Sequence, residues 1–234
     1  MSDIISKCVG AFGATALLLT PVASFANSGA QQVAAAEHDH AHEHSHAHAH
    51  DEEHGHSDPI YKGYFKDDQV KARELTDWDG DWQSVYPYLM DGSLETVLEA
   101  KAKKGPQTIE EYRDYYKTGY NTDINRIVID GSKVTYYKND KPYSGEYASD
   151  GHEILTYKKG NRGVRFIFKK ISGDADAPQF IQFSDHGIFP AKAEHYHLYM
   201  GNDRAELLKE MDHWPTYYRS SLNAKQIADE MLAH

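Results

Sequence analysis

Residues 124–170 read INRIVIDGSKVTYYKNDKPYSGEYASDGHEILTYKKGNRGVRFIFKK, and their rhythm decides the fold. Short runs rich in β-branched and aromatic residues occupy 125–129, 134–138, 145–148, 153–158 and 164–170. Between them stand Asp130-Gly131, Asn139-Asp140, Asp150-Gly151 and Lys159-Gly160, residue pairs that tolerate the backbone geometry of tight turns. Downstream, 180–186 and 195–200 continue the pattern. At least seven strands at hairpin spacing predict a mainly β domain, an antiparallel meander closing into a barrel.

Helices flank this core. Residues 93–104 carry Leu94, Val97 and Leu98 at helical spacing and stop at Gly105-Pro106. Thr108-Ile-Glu-Glu111 is a capping box opening a helix to about Tyr116. Two more are expected at 204–211, with Asp203 and Glu206 as capping pair, and at 225–232, with Asn223 and Gln226.

The N-terminal quarter has a different character. Lys7 precedes an apolar, small-residue run at 8–20, Pro21 breaks it, and Ser24-Phe25-Ala26 resembles a cleavage site. Residues 1–26 therefore read as an export signal, too short in its apolar run to anchor the chain in a bilayer. The single cysteine, Cys8, lies inside it. The exported chain would then have no thiol and no disulfide, so any transition-metal site must use imidazole and carboxylate. Residues 27–58 follow as a small, polar and then histidine-rich segment: His38, His40, His42, His44, His46, His48, His50, His54 and His56 alternate with Ala, Asp and Glu. Nearly devoid of apolar side chains, it cannot offset its ordering entropy and is expected to be disordered without metal. Many imidazoles close together make it an auxiliary, moderate-affinity metal buffer. The third segment, 59–234, is the folded domain.

The formal net charge of −11 disfavours nucleic acid and anionic membrane surfaces as partners. The strongest chemical signal is His195-Tyr196-His197. Alternate side chains of a strand share a face, so the two imidazoles point the same way. His186 closes the preceding strand, and an antiparallel return brings it beside them. Three such rings can occupy three corners of a zinc tetrahedron and leave the fourth open. The plainer reading of an H-x-H pair is a pH-sensitive polar face; the third histidine and the tail weigh against it. Asp185 is expected on the opposite strand face unless the backbone bulges. His152, His213 and His234 read as structural or solvent-exposed.

Several long motifs occur in order: DWDGDWQSVYPYL (77–89), IEEYRDYYKTGYNTDI (109–124), ILTYKKGNRGVRFIF (154–168), QFSDHGIFPAKAEHYHLYMGND (182–203) and EMDHWPTYY (210–218). Together they resemble the ZinT family of bacterial periplasmic zinc-binding proteins, which have a lipocalin-like (calycin) barrel. Gly80-Asp81-Trp82 fits the G-x-W element of such barrels. The resemblance implies a Zn2+ site at His186, His195 and His197, with Cd2+, Ni2+ and Cu2+ as secondary occupants. It also implies work in the periplasm under zinc scarcity with the solute-binding component of a zinc ABC importer. The chain is expected to be a monomer, and without a paired general acid or oxyanion donor in its sequence it is not expected to be an enzyme. Members of the family can carry a cysteine pair on adjacent strands, near positions held here by Ser144 and Lys169. Two other readings of the residues are a zinc hydratase or hydrolase and a lipocalin-type carrier of a small apolar molecule.

Overall fold

Eight antiparallel strands close into a barrel in which every strand pairs with its neighbours in sequence, and the last pairs with the first. They are β1 (Gly80–Ser84), β2 (Ile124–Asp130), β3 (Lys133–Lys138), β4 (Lys141–Thr156), β5 (Arg162–Gly173), β6 (Phe180–Ser184), β7 (His195–Gly201) and β8 (Thr216–Arg219). The computed structural model describes residues 59–158, 160–209 and 212–233. The export signal, the histidine-rich segment with all nine of its histidines, and His234 lie outside the described residues.

The meander is as expected, with two differences in its strands. Residues 145–148 and 153–158 do not form separate strands: β4 runs through both, and Asp150-Gly151 is a bulge. Ser149 pairs with Phe168 and His152 with Phe166, so two residues on β4 oppose one on β5. Gly151 takes a φ of 84°, and the extra residue bends a strand that would otherwise be too long and flat for a barrel wall. The second difference is closure. β1 and β8 have only five and four residues, and neither carries the alternation that marks a strand in sequence. They are strands because each finds partners: Trp82 pairs with Ile127 on one side and Arg219 on the other.

Alternation along each strand sends one set of side chains inward. Trp82, Tyr136, Phe166, Phe168, Phe183, Tyr196 and Tyr217 are buried along the barrel axis. Trp78, from a short 3-10 turn at Leu75–Trp78, plugs them from one end, its ring 4.7 Å from Phe183. The protein's own aromatic rings thus fill the space in which a lipocalin-type carrier would hold an apolar ligand. At the closing seam Trp82 Nε1 donates to the Trp78 carbonyl at 2.8 Å, and the Arg219 guanidinium lies 3.7 Å over the Trp82 ring.

A second apolar cluster forms outside the barrel. α1 (Tyr86–Met90), α2 (Glu95–Lys104), α3 (Ile109–Tyr120) and α5 (Ala224–Ala233) pack together against Tyr218, which points outward from β8. α3 begins at the expected capping box: Glu111 N donates to Thr108 Oγ1 and Thr108 N to Glu111 Oε2. It runs one turn beyond Tyr116, because Tyr112, Tyr116 and Tyr120 form a continuous buried stripe. Asn223 and Gln226 cap α5 reciprocally, both bonds being 3.0 Å. At α4 (Arg204–Lys209) only half of the expected pair forms: Asp203 accepts the Ala205 and Glu206 amides, while Glu206 turns to Lys209. Ser144 and Lys169 do not face each other; Ser144 pairs with Thr135 and Lys169 with Ala148.

Because Trp82 sits at the seam between the shortest strands, Trp82→Ala is expected to cost about 3–5 kcal/mol in urea unfolding. A loss below about 1 kcal/mol would show that the seam does not depend on this ring.

Candidate metal centre

β6 ends at Ser184, directly opposite His197, and the chain leaves the sheet there rather than at His186. Asp185 is the cause. Its carboxylate accepts from Arg73 Nη1 at 2.6 and 2.9 Å, and Oδ1 also accepts the Gly187 amide at 3.1 Å. This turn puts His186 at a φ of 65°, a left-handed backbone that costs a residue with a Cβ about 1–2 kcal/mol. Asp185 thus does not sit as an opposite-face residue of a regular strand. It anchors the turn that aims His186.

The three histidines come together on the outer wall of the barrel, opposite in pleat to the inward-facing Tyr196 and Leu198. Their ring centroids form a nearly equilateral triangle, with His186–His195 at 5.9 Å, His186–His197 at 5.6 Å and His195–His197 at 5.9 Å. One ring nitrogen from each lies within 4.8 Å of the others. Three ligands of one tetrahedral zinc stand roughly 3.3 Å apart, given Zn–N bonds of about 2.0–2.1 Å. Rotation of the rings can close that difference.

Each ring has a distinct support. His195 is buried and stacks on Tyr218 at 5.2 Å. His197 Nδ1 lies 2.8 Å from Thr216 Oγ1, across the β7–β8 pair. The Thr216 hydroxyl donates its proton to the Trp214 carbonyl at 2.9 Å, so its oxygen is left to accept from His197. That places the His197 proton on Nδ1 and the lone pair on Nε2, the tautomer a metal needs. His186 is exposed, and the Tyr61 ring lies flat against it at 4.4 Å.

The loop at residues 185–194 is fastened to the segment before β1. Arg73, 2% exposed, binds Asp185, Asp77 Oδ2 at 2.8 Å and the Ala191 carbonyl at 2.7 Å. Its guanidinium also rests on the Trp78 and Phe166 rings, at 4.0 and 5.1 Å. The Ala193 amide donates to the Asp77 carbonyl, and Arg219 Nη2 donates to the Ala193 carbonyl. Acidic groups stand close to the triangle, Asp185 already paired with Arg73. Burial, and then the neighbouring Glu194, push the Glu230 carboxyl above the usual carboxylate range. Burial raises the Tyr61 phenol well above its ordinary range, with Glu194 and Asp185 adding to the effect. A cation relieves such a site.

Sequence spacing singled out His186, His195 and His197, and the fold gathers all three. His152 lies near Phe166, and His213 Nε2 sits 2.5 Å from the Asn121 carbonyl, neither beside the triangle. Sequence reading missed Arg73, Thr216, Tyr218 and Tyr61. The four-residue interval from Arg73 to Asp77 was an available signal for the first. Thr216 and Tyr218 were hidden because β8 was.

Comparison with known proteins agrees with this architecture. Residues 56–234 match the family model described as ZinT (YodA) periplasmic lipocalin-like zinc-recruitment. A probable metal-binding protein of Bacillus subtilis, YrpE, is 58% identical over 179 residues, 76% of this chain and 71% of that protein. The zinc-binding protein AdcA of Streptococcus pyogenes serotype M1 is 54% identical over 180 residues. This chain spans only 35% of AdcA's length, with 75% of its own residues in the match. The crystal structure of the Zn(II)-bound ZinT-like domain of Streptococcus pneumoniae AdcA superposes with a TM-score of 0.72 at 46% identity, covering 74% of this chain and 97% of that domain.

Removing Arg73 would leave two carboxylates without their cation, Asp185 with a buried side chain and Asp77 partly exposed. Arg73→Met is therefore expected to lower the unfolding free energy by about 3–5 kcal/mol. Denaturation by urea checks this, and an unchanged midpoint would mean that the loop holds by other means.

Proposed function

The chain belongs to the ZinT family, and on that premise we propose that it binds Zn2+ through His186, His195 and His197, as cargo rather than as a catalyst. The observation that carries the proposal is the near-equilateral triangle of imidazoles on the outer wall. Nitrogen donors without thiolate suit zinc, and they admit Cd2+, Ni2+ and Cu2+ as weaker or competing occupants. An exposed His186 on a wall open to solvent favours loading and unloading over turnover in a closed cleft.

In this reading residues 1–26 direct export, residues 27–58 capture zinc at moderate affinity, and the domain at 59–234 holds it more tightly. The relatives named for zinc binding, and the family's periplasmic description, support a place outside the cytoplasm. Among the described residues no helix is long and apolar enough to cross a membrane. The chain buffers Zn2+ under limitation, as a monomer, and supports its delivery to the solute-binding component of a zinc ABC importer. The tail, joined to the domain through the chain, raises the effective concentration of metal at the tight site.

Calorimetry on the full chain is expected to resolve one tight zinc and several weaker ones. His195→Ala removes the tight event, and deletion of residues 37–56 removes the weaker ones while sparing it. Tight binding that survives His195→Ala would sink the assignment. Thr216→Val, nearly isosteric, removes the acceptor that orients His197 and is expected to weaken the tight site about 10–100-fold. Chelator competition measures this, and an unaltered affinity would remove Thr216 from the site.

A further inference from the structure

The three imidazoles are held unequally. His195 and His197 belong to β7, which pairs with β8 at both residues and with β6 from His197 onward, and each ring rests on a β8 side chain. His186 lies beyond the end of β6 in a left-handed turn, exposed to solvent. Zinc cannot leave a three-histidine site until one ligand detaches. The ligand off the sheet has the most freedom to do so.

The geometry points to Tyr61 as a positioning residue that clamps His186 in its ligating orientation and so sets how fast zinc leaves; this rests on the zinc assignment above. The two rings are 4.4 Å apart and inclined by only 24°, a face-to-face contact over the exposed ligand. Tyr61 sits in the middle of a built strap. Within residues 59–64 the Gly63 amide donates to the Ile60 carbonyl at 2.9 Å and the Tyr64 amide to the Pro59 carbonyl at 2.8 Å. The Arg162 amide then donates to the Gly63 carbonyl at 2.8 Å, tying the strap to the start of β5. Gly63 has a φ of 83°, and a Cβ there would lie 2.3 Å from the Arg162 carbonyl oxygen, where rigid backbone cannot give way. On either side of the clamp, Ile60 and Phe65 pack against the barrel core. The Arg162 side chain finishes the fastening, stacking 4.5 Å over Phe65 and bonding to the Phe65 carbonyl and Asp67.

A ring pressed flat against His186 resists the swing that would break its bond to the metal. Preorganising a ligand in this way acts chiefly on dissociation. The phenol hydroxyl has no part in the argument; the aromatic face does.

The test is stopped-flow release of Zn2+ from the full chain into excess chromogenic chelator. The tail empties quickly, and the triangle gives a slow phase, identified by its loss in His195→Ala. Tyr61→Leu keeps apolar bulk but removes the π-face, and is expected to accelerate the slow phase roughly three- to tenfold. Tyr61→Phe restores the wild-type rate. Gly63→Ala, which displaces the strap while leaving Tyr61 intact, accelerates release in the same direction. The thermal midpoint of the metal-free protein stays near wild type in Tyr61→Leu, which a purely structural role would not allow. An unchanged slow phase in Tyr61→Leu, or equal acceleration by Leu and Phe, would overturn the clamp. A slow phase that is missing from wild type, or that survives His195→Ala, would instead overturn the zinc assignment beneath it.

Discussion

A buried guanidinium organises the end of the barrel beside the candidate metal centre. Arg73 reaches Asp77 in its own segment, Asp185 at the end of β6 and the Ala191 carbonyl in the loop leading to β7. A charge so deeply buried is costly unless every donor finds an acceptor, and an unpaired carboxylate in the same place would be as costly. That mutual requirement selects one arrangement of the loop. In it Asp185 turns away from the sheet, and His186 is driven into its left-handed conformation beside His195 and His197. The aromatic plug formed by Trp78 depends on the same residue, because the guanidinium lies on its ring.

The site built on this scaffold is part rigid and part hinged. β7 and β8 supply a fixed pair of imidazoles, one oriented by a stacked tyrosine and the other by a hydroxyl that dictates its tautomer. The loop supplies the third, held by backbone strain and a ring. Such a division suits the zinc carrier proposed above: the fixed pair would give selectivity and affinity, and the hinged ligand a route out. Placement on the outer wall has a related cause. The barrel axis is filled with aromatic side chains, so polar chemistry is confined to the opposite face of the same strands.

Much of this was legible along the chain, where local rules act. Asn139-Asp140, at φ of 50° and 61°, makes the tight turn its residue types announce. Thr108 and Glu111 cap their helix as the spacing of a capping box requires. His195 and His197 share a face because a strand repeats every two residues. Asp150-Gly151 shows the edge of such reasoning: the same positive-φ glycine serves a turn or a bulge, and only the pairing of β5 with β4 on both sides of it chooses between them. β1 and β8 lie beyond it altogether, since a four-residue run such as Thr216–Arg219 acquires strand character from its partners and not from its own pattern.

The sequence by itself determined the meander, the flanking helices and the identity of three candidate ligands, because hydrophobic period, turn chemistry and side-chain type are local properties. Tertiary structure decided the closure of the barrel through β1 and β8, the break in β6 that aims His186, and the tautomer of His197. It also brought Arg73, Tyr61 and Thr216 to their places. These outcomes depend on pairing charges and rings across intervals of 19 to 125 residues (His197 to Thr216, Tyr61 to His186), and nothing local to either partner encodes such a meeting.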